Sequence, residues 1–240
     1  MESATIDPSA AATPMLSASG MQVGARGAVP ALALDFVLCA GELQLIHSRH
    51  KERSSDIADV LLGLADAGSG IVRFLGRAWH ELSRHEAFEL RRAIARVQGR
   101  GNWMEGRSVM DNLLLPVRHH TILPEHALRS RASVLARQFG LPGLPLLLPS
   151  DCAPGDLERA ACVRAFLGRP ALLVLEHPMA FEDSDLLLPL MNAIQQMRRR
   201  GGSVIWFTEH GLHAMEASLT ADRHCELVDA HLIDLKLNRR

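Results

Sequence analysis

The feature that most constrains the fold is a short apolar run at residues 171–175 that ends in ionisable side chains. The segment from Ala171 to Asp183 reads ALLVLEHPMAFED, so Glu176 and His177 directly follow five apolar residues. An apolar run of this length is typical of a strand buried in a parallel sheet. Such sheets place their binding and catalytic groups at the carboxyl ends of the strands. The run therefore predicts an α/β fold with Glu176 and His177 at the site edge of the sheet.

Other segments alternate between strand and helix patterns, as an α/β fold requires. Apolar runs predict strands, and apolar residues at helical spacing predict helices. The predicted strands lie at residues 32–39, 42–46, 203–208 and, as a pair, 226–235, and residues 68–75 are predicted to form a turn followed by a strand. The predicted helices lie at 55–64, 83–95, 156–167 and 183–200, with a further helical stretch at 109–139 that prolines break at Pro116 and Pro124. The mainly helical insert at about 109–155 is expected to form a second lobe.

Composition limits the partners, the cellular compartment and the domain organisation that can be expected for this chain. Of 240 residues, 48% are hydrophobic and 22% charged, and the formal net charge of -1 gives no basic field for nucleic acid. The four cysteines lack CxxC spacing, which predicts reduced thiols in the cytosol. No apolar run approaches the roughly 20 residues of a membrane-spanning helix. Residues 1–30 are rich in Ala, Ser, Pro and Gly and predict a disordered tail, which leaves one domain at 31–240.

The order of segments over 34–235 resembles an ATP-binding cassette (ABC) transporter subunit. GELQLI at 41–46 is similar to the strand before the Walker A loop, and the segment at 82–98 to the approach to the Q-loop, which makes Gln98 the Q-loop glutamine. SVMDNLLLPVRHH at 108–120 resembles the entry to the helical lobe, and 221–235 the terminal strand pair. The LLLPVR phrase is most like Mla-type, phospholipid-trafficking cassettes. The resemblance implies a P-loop NTPase-like fold with a mainly parallel core sheet, N-terminal antiparallel strands and an inserted helical lobe.

The resemblance also identifies changed residues at the phosphate loop. GxxxxGK[ST] aligns with SRHKERSS at 48–55, where Arg53 replaces a glycine and Ser54 replaces the lysine. Ser55 retains the Mg²⁺-binding hydroxyl. Two readings stay open: Lys51 and the nearby arginines bind phosphate by another route, or the segment is an ordinary solvated loop. The metal ligands implied for Mg²⁺ are Ser55, Gln98 and Glu176, the last standing where the family has the Walker B aspartate.

The remaining family motifs are altered in the same way. The signature segment aligns with CAPGD at 152–156, where Gly155 is the retained residue. The nucleotide contacts implied by the resemblance are thus Ser55, Lys51, Gln98 and Gly155. His177 stands where the family has its catalytic glutamate, and Glu209 where it has the switch histidine. We hypothesise that these two form a structural bridge between strand ends; an alignment with His210 as the switch residue is the alternative.

Three residues are implied as contacts to partner proteins. Gln98 and Trp103 lie in the segment where the family receives the permease, and Asp183 is the D-loop aspartate. For Trp103 an interface anchor and simple loop packing both remain open.

The sequence therefore predicts a cassette subunit that lacks ATPase activity and is not an enzyme. We expect it to be a structural or regulatory partner of a membrane permease or an active cassette, with a homodimer also possible. It would lie in the cytoplasm, on the inner face of the cytoplasmic membrane. No cofactor is expected, although the resemblance leaves ATP and Mg²⁺ open. The alternatives are a working ATP-hydrolysing subunit of a lipid-trafficking-like transporter with substituted motifs, and a free-standing regulatory pseudo-ATPase.

Overall fold

The computed structural model describes residues 14–27, 30–98, 101–178, 184–209, 221–228 and 231–235. The strands are β1 (Leu16–Val23), β2 (Leu32–Leu38), β3 (Leu43–His47), β4 (Ile71–Phe74), β5 (Arg77–Ala78), β6 (Ile94–Gln98), β7 (Leu172–Glu176), β8 (Ser203–Thr208), β9 (Arg223–Val228) and β10 (His231–Asp234). The helices are α1 (Lys51–Leu61), α2 (Arg84–Arg91), α3 (Val109–His120), α4 (Glu125–Gln138), α5 (Pro154–Leu167) and α6 (Ser184–Arg198).

The strands form two sheets. The larger has the order β10-β9-β3-β8-β7-β6, and all its pairings are parallel except that of β10 with β9. The smaller is antiparallel, with the order β2-β1-β4-β5. The predicted α/β fold, with a mainly parallel core sheet and antiparallel N-terminal strands, is confirmed.

Apolar side chains cover both faces of the larger sheet. On one face Leu175 and Trp206 belong to a buried cluster with residues of α3, α5 and α6. On the other face Val174 and Phe207 join α1 and the antiparallel sheet. Residues such as these alternate between the two faces because successive strand side chains point in opposite directions. Burial on both faces explains why the two strands are continuously apolar over residues 172–175 and 204–207.

The predicted disordered tail at 1–30 is wrong for residues 16–23. These form β1, which lies between β2 and β4, and the side chains of Leu16 and Met21 are completely buried. Small residues and Gly20 dilute the apolar content of this strand, so its composition resembles that of a tail. The pairing is irregular between Ala18 and Met21, where Gly20 has a φ of 57° that glycine adopts without strain. Residues 1–13 lie outside the described residues.

The helical insert contains α3 and α4, which pack against each other and against α5. The predicted break at Pro116 is wrong, because α3 continues through it to His120. Leu113 and Val117 on either side of the proline are buried, and this packing outweighs the single backbone hydrogen bond that proline removes. The second predicted break is at the right place, since Pro124 caps α4. Among the described residues, none of the helices combines the length and the apolar character that crossing a membrane requires.

Candidate functional site

Most of the predicted site residues meet at the carboxyl edge of the larger sheet. The register of β6 and β7 pairs Gln98 with Glu176, and His177 follows β7. Glu209 follows β8, the next strand in the sheet. The N-terminal turns of α1, with Lys51 and Ser55, reach the same edge through bonds to these groups. These side chains therefore lie close together, and the contacts among them define their surroundings.

The connection between β3 and α1 is only three residues long, 48–50. The helix begins at Lys51, so the residues aligned with the end of the phosphate loop, Arg53 to Ser55, already lie within the helix. His50 occupies the N-cap without a side-chain capping bond. A phosphate loop uses glycines so that successive backbone N–H groups converge on phosphate oxygens. Here that stretch of backbone is helical from Lys51 onward.

Arg53 fills the position of the second glycine and is directed into the protein. It is 2% exposed, and its guanidinium donates to the carbonyl oxygen of Gly24 at 2.7 Å and to that of Pro30. Ser54, at the lysine position, is fully buried, and its Oγ donates to the carbonyl oxygen of His50 at 3.4 Å. Neither side chain is available to a phosphate in this arrangement. The Arg53 contacts instead connect α1 to the chain between β1 and β2.

Glu176 is buried and both its carboxylate oxygens have partners. Ser55 Oγ donates to Oε2 at 2.5 Å, and Arg96 Nε donates to Oε1. Arg96 also donates to Asp59 Oδ1 at 2.5 Å and to the Ser55 carbonyl oxygen at 3.3 Å. Burial acts to lower the pKa of Arg96, but the hydrogen bonds and charges of Glu176 and Asp59 together raise the pKa above its ordinary value. The sequence does not single out Arg96, because the helical pattern predicted at 83–95 runs up to it, whereas α2 ends at Arg91 and Ile94–Gln98 form strand β6.

The side chains of His177 and Glu209, predicted to form a bridge, each bond another partner, although the charge of each still acts on the pKa of the other. His177 Nε2 lies 3.3 Å from Ser54 Oγ, whereas Glu209 forms an ion pair with Lys51 Nζ at 2.9 Å. Burial and the nearby Lys51 charge lower the pKa of His177, which favours the neutral imidazole rather than the imidazolium expected for a bridge. The hydrogen bond from Lys51 lowers the pKa of Glu209. His210, the alternative switch residue, lies outside the described residues.

His177 also has an unusual backbone. Its φ is 47°, in the left-handed region that non-glycine residues seldom adopt. The conformation is held by a hydrogen bond from its N–H to the Phe207 carbonyl oxygen at 3.0 Å. Strain of this kind costs about 1–3 kcal/mol and persists only where surrounding contacts impose it.

The residues implied as contacts to partner proteins, and Gly155, implied as a nucleotide contact, lie in different surroundings. Gln98 Oε1 accepts a hydrogen bond from Asn102 Nδ2. Trp103 is half-buried against the core, with the Arg164 guanidinium 4.6 Å above its ring, so it packs onto its own domain. Gly155 lies in the first turn of α5, after Pro154. Asp183 is outside the described residues.

The three residues implied as Mg²⁺ ligands do not fit the metal as they are arranged. Mg²⁺ requires oxygen ligands in near-octahedral geometry. Glu176 is bonded to Ser55 and Arg96, and Gln98 directs its amide oxygen to Asn102. The described part of the chain has no group of three or more His, Cys, Asp and Glu side chains that could hold a metal ion.

Comparison with solved structures identifies the fold. The dimeric ATP-binding cassette MJ0796 has a TM-score of 0.78 at 17% identity, covering 91% of this chain and 96% of that one. CbiO1 from Clostridium perfringens, part of an ABC transporter complex, has a TM-score of 0.70 at 18% identity, covering 92% and 87%. The architecture is therefore that of an ATP-binding cassette with a P-loop NTPase-like fold.

Comparison of amino-acid sequences finds relatives that are also ATP-binding proteins. The cell division ATP-binding protein FtsE of Haemophilus influenzae is 28% identical over 193 residues, covering 80% of this chain and 88% of FtsE. The nickel import ATP-binding protein NikE of Pseudomonas putida is 28% identical, covering 76% of this chain and 68% of NikE. The phospholipid transport protein MlaF of H. influenzae is 29% identical over 128 residues, covering 53% and 48%. No family model matches the chain. Over most of its length the chain is similar to ATP-binding cassette subunits, the family that its motifs resemble.

Proposed function

We propose that this subunit does not hydrolyse ATP and acts as a structural or regulatory partner of a membrane permease or an active cassette. The proposal rests on the N-terminal turns of α1. The helix begins at Lys51, and the side chains of Arg53 and Ser54 are buried. The lysine that would neutralise phosphate charge is absent at Ser54, and Lys51 is paired with Glu209. Nucleotide is therefore not expected as a cofactor.

The carboxylate that would activate the attacking water in ATP hydrolysis is also absent from its position. His177 replaces the carboxylate that the family resemblance places there, and its lowered pKa leaves a neutral, largely buried ring bonded to Ser54. Removing one well-placed electrostatic or acid–base group commonly costs about 3–4 kcal/mol of transition-state stabilisation. Two such losses would reduce turnover by several orders of magnitude.

A groove between α2, β6, α3 and α5 supports docking to a partner. Its volume is about 470 Å³, and its lining combines apolar residues with arginines and contains no carboxylate side chain among the described residues. Phe88 is 49% exposed at the groove, and Arg92 is exposed beside it. This chemistry suits a short amphipathic segment of the partner that carries acidic side chains. Gln98, Trp103 and Asp183 remain proposed contacts to partner proteins, as the family resemblance implies.

Hydrolysis is tested by phosphate release from purified protein, alone and mixed with candidate cassette partners. The proposal predicts release at the level of a buffer blank for the chain alone. A working ATPase with substituted motifs would instead give turnover that Glu176→Gln abolishes. The same measurement on a mixture shows whether the chain alters the activity of a competent partner.

Docking is tested by sedimentation with inner-membrane vesicles that contain the permease. Arg92→Glu reverses one charge in the groove, and Arg84→Glu makes the same change on α2 outside it. We expect Arg92→Glu to reduce the bound fraction about tenfold, equivalent to roughly 1.4 kcal/mol, and Arg84→Glu to leave it unchanged. A wild-type protein that remains in the supernatant would support a free-standing regulator instead.

A further inference from the structure

We propose that Arg96 supplies from within the chain the positive charge that Mg²⁺ would supply at Glu176, so that the site is balanced without a divalent metal. The inference goes beyond the proposed function. It concerns one carboxylate and its counter-charge, and holds whether or not the subunit docks on a permease. The inference starts from the observation that the residues implied as metal ligands are already hydrogen-bonded to other groups of the protein.

The first step is the need for a counter-charge. Glu176 is 3% exposed, at the end of a strand buried on both faces. An ionised carboxylate in such a position requires a paired cation and satisfied oxygens. Arg96 meets the first requirement through Oε1, and Ser55 completes the second through Oε2.

The second step is that the guanidinium is fixed in place. Besides Glu176, it bonds Asp59 Oδ1 at 2.5 Å and the Ser55 carbonyl oxygen at 3.3 Å, and its side chain is only 16% exposed. A planar guanidinium with several donors held at once loses little further freedom on pairing. Arg96 is therefore held against three acceptor groups, rather than being a mobile surface side chain that a metal could easily displace.

The third step is the competition between the two cations. A metal at Glu176 would have to displace Arg96 from Oε1 or lie beside it, and two like charges in a poorly solvated site repel each other. The Ser55 hydroxyl, the other implied ligand, already directs its proton to Oε2. Since the same guanidinium reaches α1 through Asp59 and β7 through Glu176, Arg96 also positions the helix against the sheet.

The test measures Mn²⁺ binding by electron paramagnetic resonance and thermal unfolding with and without Mg²⁺. Arg96→Gln frees the Glu176 carboxylate, and Arg129→Gln is the matched control, an exposed arginine paired with Glu125. We expect Arg96→Gln to bind Mn²⁺ at least about tenfold more tightly than wild type and to gain thermal stability from Mg²⁺. Wild type and Arg129→Gln should show neither effect.

Wild-type binding of Mn²⁺ that Glu176→Gln abolishes would overturn the proposal, and so would an Arg96→Gln protein that folds but binds no more metal than wild type. If Arg96→Gln does not fold, the wild-type titration decides alone: no Mn²⁺ bound at Glu176 supports the proposal. Adding ATP separates this inference from the proposed function. Stabilisation by ATP that is equal with Mg²⁺ and with EDTA would contradict the proposed function but not the role of Arg96.

Discussion

Replacing Arg53 by methionine tests whether the first turns of α1 are a structural part of the fold. The substitution keeps most of the aliphatic stem and removes the donors to the Gly24 and Pro30 carbonyl oxygens. Each hydrogen bond from a charged group contributes about 1.5–3 kcal/mol, so two contribute about 3–6 kcal/mol. Both acceptor residues are exposed, which lets water replace part of the loss and places the expected cost near about 3 kcal/mol.

The assay is urea-induced unfolding followed by tryptophan fluorescence, with thermal unfolding as a second measurement. For a chain of this size, about 3 kcal/mol lowers the melting temperature by roughly 6–12 °C. Arg49→Met is the matched control, because Arg49 is an exposed neighbour in the short loop before α1 and its loss should cost within about 0.5 kcal/mol. If Arg53→Met is as stable as Arg49→Met, Arg53 does not join α1 to the chain between β1 and β2, and the early start of the helix loses its explanation.

Two further substitutions test groups at the site edge. Because burial and Lys51 keep the pKa of His177 below its ordinary 6.5, the unfolded chain binds more protons than the folded one as pH falls through 6.5. In urea titrations the free energy of unfolding should therefore decline as the pH falls below 6.5 toward the folded pKa, and less steeply in His177→Gln than in wild type. Gly101→Ala should lower the free energy of unfolding by about 1–3 kcal/mol, since its φ is 77° and an added Cβ would lie 2.2 Å from Trp103 Nε1. Gly106→Ala, with no atom within 4 Å of an added Cβ, is the control, and an unaffected Gly101→Ala would contradict the packing of Trp103.

The framework was predictable from the sequence because its signals are local. The strands predicted at 171–175 and 203–208 lie within one residue of β7 and β8, since their continuous apolar runs need no tertiary information. Leu16–Val23 was missed for the opposite reason: small residues and an irregular pairing hide its alternation, and only the neighbouring strands make it a strand.

The contacts inside the site were not predictable, because they depend on where separate elements meet. The early start of α1 brings Lys51 to Glu209, and this replaces the partner that alignment alone assigned to Glu209. The role of Arg96 depends on the register of β6 with β7 and on the side of the sheet that α1 covers. A sequence motif identifies positions, whereas the charge balance at Glu176 follows from their arrangement in space.

Nucleotide binding is the measurement that tests the central claim most directly. Purified wild-type protein is titrated with ATP in the presence of Mg²⁺ and followed by calorimetry and thermal unfolding. A ligand at 100 times its dissociation constant adds about 2.7 kcal/mol of stability, which is readily detected in a protein of this size. We predict no heat of binding and no change in melting temperature at millimolar ATP. A saturable shift that disappears when Ser55 is replaced by alanine would show that the phosphate loop still functions and would contradict the account.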